Sequence, residues 1–427
     1  MLHLWADGTR FLTGVNLIRR RRETLLVNDY IAEIRKLLAK SMDEVAAWER
    51  SVFDGLAGSK AGRIVLCGAG GLGRRTLSGL RKAGLSAIAF ADNNPLLEGK
   101  LIEGVQVFSA KVAAEKFGRD SVFVLTIWGA HSCDRMAQRK QQWRLLGCET
   151  VVSFMPLCWK FPQFNLPHYA CDLPHKVFEQ VDRIAEVAGL WADDQSQKEF
   201  LAQLRWRSEM DYEGLPEPVP GVPYFPTDLF ELLPDERLVD CGAYDGDTLA
   251  DFLKLTGGQF GKFWALEPDP SNFAKLSALV SKLEPAHRGK IELLKIAACE
   301  CAQTLHFSAD ATAASAVIAQ GGIDVEGQPL DSVLAGADPT FIKMDIEGAE
   351  VSALRGAQDV LRRCRPILAI CIYHRQEHLW EIPEMLGMIL KGYSFFLRPH
   401  DREGWDLVCY AVPDERVRGS ARSVRRI

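Results

Sequence analysis

A few carboxylates, one lysine and two histidines carry the chemistry of this 427-residue chain, because of where they fall relative to short apolar runs. Leu238 and Val239 lead into Asp240, and Gly242 and Gly246 follow before a helical pattern begins near Thr248. That order reads as a buried strand, a tight glycine turn and a helix start. Glycine lets backbone approach a ligand with no Cβ in the way, and a helix N-terminus offers free N–H groups. Asp240, Ala243 and Asp247 share this turn. About 20 residues on, a second apolar run ends in Glu267-Pro268, where a carboxylate can accept both hydroxyls of a ribose. A third constellation, Lys343-Met344-Asp345-Ile346-Glu347-Gly348-Ala349-Glu350, sets three carboxylates and a lysine across a strand end and a helix start. Charges at the carboxyl ends of parallel strands lie in the crevice where ligands bind. His374 follows the apolar run Ile367–Ile372 and reaches the same rim. A histidine near neutral pKa can take a proton from a hydroxyl, so His374 is the candidate base beside Asp345, with His378 one helical turn further.

Each of these residues also has a purely structural use. Asp240 and Asp345 can cap the turns that come after them. Glu347 and Glu350 suit the positive end of a helix. Lys343 can pair with an acid, and His374 can be a hydrogen-bonded core histidine. A divalent cation across Asp345, Glu347 and His374 has suitable ligands, but no spacing demands it, and no metal is expected.

The elements that must position these residues fall into two strand–helix series. In the first, Arg63–Cys67 runs into Gly68-Ala69-Gly70-Gly71-Leu72-Gly73, a G-x-G-x-x-G turn, and a second strand, Ala87–Ala91, ends in Asp92. Further strands at 104–108, 121–126 and 149–152, with a helix from His131 to Leu146, make a small βαβ module with a parallel sheet. Gly68, Gly70, Gly73 and Asp92 are its candidate nucleotide contacts; packing or dimerisation into a homo-oligomer is the competing use. In the second series, strands at 237–241, 263–266, 291–296, 340–344 and 366–372 alternate with helices, including one at 349–362 and one at 380–390. The last two strands, 393–397 and 406–411, are joined by a short polar loop and must be antiparallel. Between the two series, prolines from Pro156 to Pro226 bracket helices near 175–190 and 195–210. Aromatics there, among them Trp159, Tyr169, Trp206, Tyr212 and Tyr224, are too many for a free linker, so a packed bridge that lines the acceptor site is expected.

The second series resembles the FkbM family of S-adenosylmethionine-dependent methyltransferases. The resemblance rests on Asp240–Asp247, Glu267–Pro270, Lys343–Glu350, Leu354–Ala357 and Tyr373-His374, and covers about 230–413. It implies S-adenosylmethionine as cofactor, held by Asp240, Gly242, Ala243, Gly246, Asp247, Glu267 and Pro268. It implies methylation of a hydroxyl on a saccharide, a nucleotide-linked sugar or a related natural-product acceptor, with His374 and Asp345 as catalytic residues. The implied fold is α/β: a Rossmann-like methyltransferase sheet with a terminal antiparallel hairpin. The first module resembles nucleotide-sugar or dinucleotide-binding subdomains. The expected units are an N-terminal helical extension (1–58), the Rossmann-like module (59–154), a proline-rich helical bridge (155–229), the methyltransferase domain (230–413) and a basic tail (414–427).

Composition limits the alternatives. A net charge of -5 supplies no global basic field for nucleic acid, and eleven cysteines with no C-x-x-C pair suit reduced thiols in a cytoplasmic protein. No apolar run is long enough to span a bilayer. The cluster Arg19–Arg22 reads as a solvated helix entry, and residues 1–23 and 416–427 as loose ends. Two other function classes compete: a nicotinamide-dependent oxidoreductase, motivated by the turn at 68–73, and a non-catalytic nucleotide-sugar-binding scaffold. The former lacks any clear Tyr-x-x-x-Lys partner and leaves 230–413 unexplained.

Overall fold

Strand β1 (Ile64–Cys67) is buried along its whole length, as a strand covered on both faces must be. It pairs in parallel with β2 (Ala89–Ala91) and β5 (Val122–Leu125). Two short strands, β3 (Leu101–Ile102) and β4 (Val105–Phe108), extend one edge, and β6 (Thr150–Ser153) the other. The order of this sheet is β3-β4-β2-β1-β5-β6, with only β3 antiparallel to its neighbour. The chain is known from a computed structural model, which describes residues 27–132, 134–307 and 323–419. The Arg19–Arg22 cluster lies outside them. The helix expected from His131 begins only at Met136, and His131 itself takes a left-handed φ of 57° in a loop. Helices over 27–37 and Met42–Ala57 precede the sheet, the second opened by a capping box between Ser41 and Glu44.

The second sheet has the order β15-β16-β14-β13-β7-β8-β9. Its parallel part comprises β7 (Arg237–Cys241), β8 (Lys262–Leu266), β9 (Ile291–Leu294), β13 (Phe341–Met344) and β14 (Ile367–Cys371). The register sets Asp240 against Lys343 on neighbouring strands. The hairpin β15 (Tyr393–Pro399) and β16 (Leu407–Pro413) adds two antiparallel strands, and β16 inserts next to β14. Two features depart from expectation. The helix anticipated over 349–362 is two, Glu350–Arg355 and Gln358–Cys364, because the chain bends at Gly356, where a Cβ would come within 2.1 Å of the Cys299 carbonyl oxygen. A small third sheet, β10 (Ala297–Ala298), β12 (Ile323–Gln328) and β11 (Gln303–Phe307), stands between β9 and β13 in the chain.

The bridge is core. Trp159, Trp191 and Trp206 are fully buried in it, each burial stabilising the fold by roughly 1.5–3 kcal/mol or more. The helix Asp194–Glu209 packs on β15: Ser196 Oγ accepts the Leu397 N–H at 2.9 Å, and buried Arg398 reaches Asp193 at 2.5 Å and Asp228 at 2.9 Å. One apolar core runs through both large sheets and the bridge. The tail expected to be loose is docked at its start, where Arg416 meets Glu236 at 2.8 Å and Arg418 N–H donates to the Leu229 carbonyl at 2.7 Å; 420–427 lie outside the described residues. Among the described residues no helix is long and apolar enough to cross a membrane.

Candidate functional site

The turn after β7 shows why its glycines are needed. Gly242 has φ 81°, and a Cβ there would lie 1.9 Å from the Asp345 carbonyl oxygen. Gly246, at φ 97°, opens the helix Asp247–Thr256. The N–H groups of Gly242 and Ala243 both donate to the Leu266 carbonyl at 3.0 Å, which ties the turn to the end of β8. One residue on, Glu267 accepts the Tyr244 N–H on one carboxylate oxygen and the Asp269 N–H on the other, each at 2.8 Å. Burial pushes its carboxyl up to about 7, against the pull of those two N–H groups.

Asp240 sits beneath the turn rather than in it. Its side chain is wholly buried, and Lys343 Nζ lies 2.9 Å from it. The same ammonium donates to the Gly242 carbonyl at 2.7 Å and stands 5.1 Å from the Tyr224 ring centre. Burial pushes the Asp240 carboxyl up to about 6, with Lys343 opposing. Burial by itself would lower Lys343, but Asp240, Asp345 and Asp247 raise it above its ordinary value. Asp240 therefore does not line the cavity; it holds the lysine that holds the turn.

At the end of β13, Asp345 is the hub. Tyr224 Oη donates to Oδ2 at 2.9 Å, Tyr373 Oη donates to Oδ1 at 3.3 Å, and His374 Nε2 lies 3.2 Å from Oδ1. Burial alone would raise its carboxyl. The His374 contact and charge, the Lys343 charge and the Tyr224 hydroxyl overcome that and hold it well below the usual carboxylate range. His374 is enclosed, with 1% of its side chain exposed. Its Nδ1 lies 2.8 Å from Glu350 Oε1, and its Nε2 3.7 Å from Glu347. These contacts are ionic more than directional, since neither ring nitrogen makes a hydrogen bond of good geometry. Burial favours the neutral ring, yet Glu350, Asp345 and Glu347 raise His374 well above its ordinary value. Glu350 is wholly buried, with His378 3.3 Å away on its other oxygen, and accepts the Ile346 N–H at 3.0 Å.

A cavity of about 700 Å³ joins the two ends. Gly242, Asp247, Glu267 and Pro268 line one end; Asp345, Glu347 and Tyr373 line the other. Ala243 and Gly246 shape the turn without lining the cavity, and His374 lies behind Asp345. The expected base, His374, does not line the cavity: its two nitrogens face Glu350 and Asp345 from behind the cavity wall. Glu347 was the residue undervalued in the sequence. It lines the cavity in a left-handed conformation (φ 54°), and burial pushes its carboxyl up to about 8 despite the His374 charge. Tyr169 and Tyr224 of the bridge also line the cavity, as do Trp405 and Asp406 of the β15–β16 loop and His131 of the first sheet. In the sequence, the bridge's aromatic excess signals Tyr169 and Tyr224, and the place of His131 after the first module's third strand marks a second position where a ligand could sit; Trp405 and Asp406 carry no such signal.

The first glycine turn is a separate matter. Asp92 Oδ2 accepts the Ala69 N–H at 2.7 Å and Oδ1 the Asn94 N–H at 2.8 Å, so the carboxylate closes the turn itself. A Cβ at Gly73 would lie 1.9 Å from the Gly68 carbonyl, and one at Gly68 2.6 Å from Ile127. Packing alone explains both, and Gly68, Gly70, Gly73 and Asp92 do not line the cavity.

Residues 240–396 match the family model described as the Methyltransferase FkbM domain. The crystal structure of methyltransferase FkbM from Methylobacillus flagellatus KT is similar at a TM-score of 0.73 and 26% identity, covering 91% of this chain and 99% of that one. The methyltransferase domain of bacterial CtHen1-CN aligns at a TM-score of 0.27 and 15% identity, covering 42% of this chain and 91% of its own. A putative rRNA methylase from Clostridium thermocellum aligns at a TM-score of 0.27 and 12% identity, covering 43% and 89%. These last two likenesses are too weak to bear on the site. No curated protein matches the sequence. A family match that ends in β15 and a structural likeness that runs through both large sheets lead to one conclusion: over residues 240–396 the chain carries a methyltransferase FkbM domain.

Proposed function

We propose that this chain transfers a methyl group from S-adenosylmethionine to a hydroxyl of a saccharide, a nucleotide-linked sugar or a related natural-product acceptor. The observation that carries the reading is the single cavity with the Gly242 turn and Glu267 at one end and the Asp345–Glu347 pair at the other. The residues fit the donor. Its size suits a cavity of about 700 Å³. Glu267 is pinned by two backbone N–H groups and keeps lone pairs for two ribose hydroxyls. Bound there, S-adenosylmethionine supplies a methyl group already activated on a sulfonium.

The protein's task is then to position an oxygen and remove its proton. Asp345 is held ionised by three donors, which makes it a weak base and a fixed acceptor that orients the hydroxyl. Glu347 has no such donors and a carboxyl near 8, so it is the better proton acceptor. His374 fixes Asp345 from behind and is a positioning residue. Titration calorimetry with S-adenosylmethionine and, separately, with NADH tests the reading; the donor binds and NADH does not. Tight nicotinamide binding with no donor binding would favour the oxidoreductase, and neither binding would favour a scaffold. A second nucleotide at Gly68, Gly70, Gly73 and Asp92 is a distinct proposal, tested by NMR titration of the whole chain with nucleotide sugars. Absent shifts there favour packing, as does the closure of the turn by Asp92.

A further inference from the structure

The loop after β5 and the loop joining β15 to β16 meet at the mouth of the cavity, where His131, Asp401 and Asp406 each turn one ligand atom toward a common centre. All three atoms lie within 4.8 Å of one another. His131 Nδ1 is 3.8 Å from Asp401 Oδ2, and the His131 N–H donates to that same oxygen at 2.5 Å, which fixes the loop against the hairpin. Asp401 Oδ1 also accepts the Arg402 N–H at 2.7 Å, whereas among the described residues no hydrogen bond or ion pair to the Asp406 carboxylate is seen. His131 and Asp406 both line the cavity, with Asp345 and Glu347 on its floor. A half-buried carboxylate facing other carboxylates with no cation or donor of its own is electrostatically costly unless something positive is bound.

We propose that His131, Asp401 and Asp406 hold a divalent cation at the cavity mouth. One imidazole nitrogen and two carboxylate oxygens suit Mn²⁺ or Mg²⁺, which take six ligands and keep several waters. Metal–oxygen bonds of about 2.1 Å bring neighbouring ligand atoms to roughly 3 Å, so the three side chains close inward on binding. The His131 ring, 85% exposed, is free to make that movement. The remaining positions face the cavity, where two adjacent acceptor oxygens replace water and are presented to Glu347. This last use rests on the proposed methyl transfer to a hydroxyl; the cation site does not. The site also gives the first sheet a part in the reaction, since His131 is its only described residue besides Ala130 on the cavity wall.

The test is titration of the full chain with Mn²⁺ alone, without donor or acceptor, reading free Mn²⁺ by electron paramagnetic resonance. Wild type binds one equivalent. Asp406→Asn and His131→Ala each weaken binding by more than about tenfold, with circular dichroism unchanged. Because His131 is exposed, its variant decides the matter if Asp406→Asn fails to fold. No bound Mn²⁺ at millimolar concentration, or variants that bind as wild type does, would overturn the proposal. Mn²⁺ binding lost in the variants of a protein that never binds S-adenosylmethionine would instead count against the proposed function and leave the cation site standing.

Discussion

At the scale of single residues, the environments of Asp345 and Glu347 separate two carboxylates that sit two positions apart. Asp345 is surrounded by donors and cations and falls below the usual range; Glu347 is buried with few of either and rises to about 8. Such divergence of neighbouring acids is a mark of assigned roles. Since only the ionised form of Glu347 accepts a proton, the rate should increase with pH and level off above about 8. Glu347→Gln should abolish that limb and lower turnover about 10²–10⁴-fold while donor affinity is kept. A variant with wild-type turnover and pH profile would remove Glu347 from the mechanism. Glu267 gives a second pH dependence in a different measurement. Its carboxyl is raised to about 7, and protonation removes acceptor capacity, so donor affinity by calorimetry should weaken as pH falls below about 7. Flat affinity from pH 6 to 8.5 would argue against ribose contact. His374 makes a stability prediction. Replacing it with alanine leaves Glu350 buried without its closest cation, a cost of about 3–5 kcal/mol in urea unfolding.

At the scale of elements, the two glycine turns look alike in sequence and differ in what surrounds them. The turn after β7 abuts the Asp345 backbone and opens on the cavity. The turn after β1 is closed by its own strand-end acid, Asp92. Gly242→Ala combines a left-handed φ with a clash against backbone that cannot retreat, so donor binding should be lost even where the variant folds. Asp92→Ala should instead cost about 1–3 kcal/mol in thermal or denaturant unfolding, because it leaves the Ala69 N–H without its acceptor. Donor affinity and turnover should not change. A loss of donor binding in Asp92→Ala would mean that the first turn takes part in the donor site.

At the scale of the whole molecule, the cavity belongs to no one sheet. Its floor comes from the turn after β7 and the ends of β8 and β13, one wall from β10 and β11, and its mouth from the bridge, the hairpin loop and the loop after β5. Trp128 of the loop after β5 packs at a tilt on Trp405 of the hairpin loop at 4.5 Å between ring centres, and Tyr169 of the bridge meets Trp405 at 4.7 Å. Arg398 ties the bridge to β15 from within the core. Arg398→Ala should destabilise the protein by about 3 kcal/mol, the low end for a buried pair, since Asp193 and Asp228 stay partly exposed. An unchanged urea midpoint would show the ion pair to be replaceable by packing.

The sequence by itself determined the parallel core, the terminal hairpin, both glycine turns and the acids at the strand ends. These are local matters: apolar runs make buried strands, glycine marks a turn, and a strand's end places the next few residues at the rim of the sheet. It also pointed to the aromatic bridge, since so many rings cannot stay in water. Tertiary structure decided the rest. Asp240 and His374 are strand-end residues like Glu267 and Asp345, yet neither lines the cavity as those two do, because a side chain's face at an irregular strand end depends on what packs there. Whether His374 accepts or carries a proton depends on Glu350 and Asp345, brought against it by the turn at Glu347 and Gly348. His131 and Asp401 are 270 residues apart, with Asp406 five further on, and only the packing of one sheet's loop on the other's hairpin brings their ligand atoms within 4.8 Å. Charge and burial set proton affinity, and both are properties of the assembled neighbourhood that no spacing along the chain encodes.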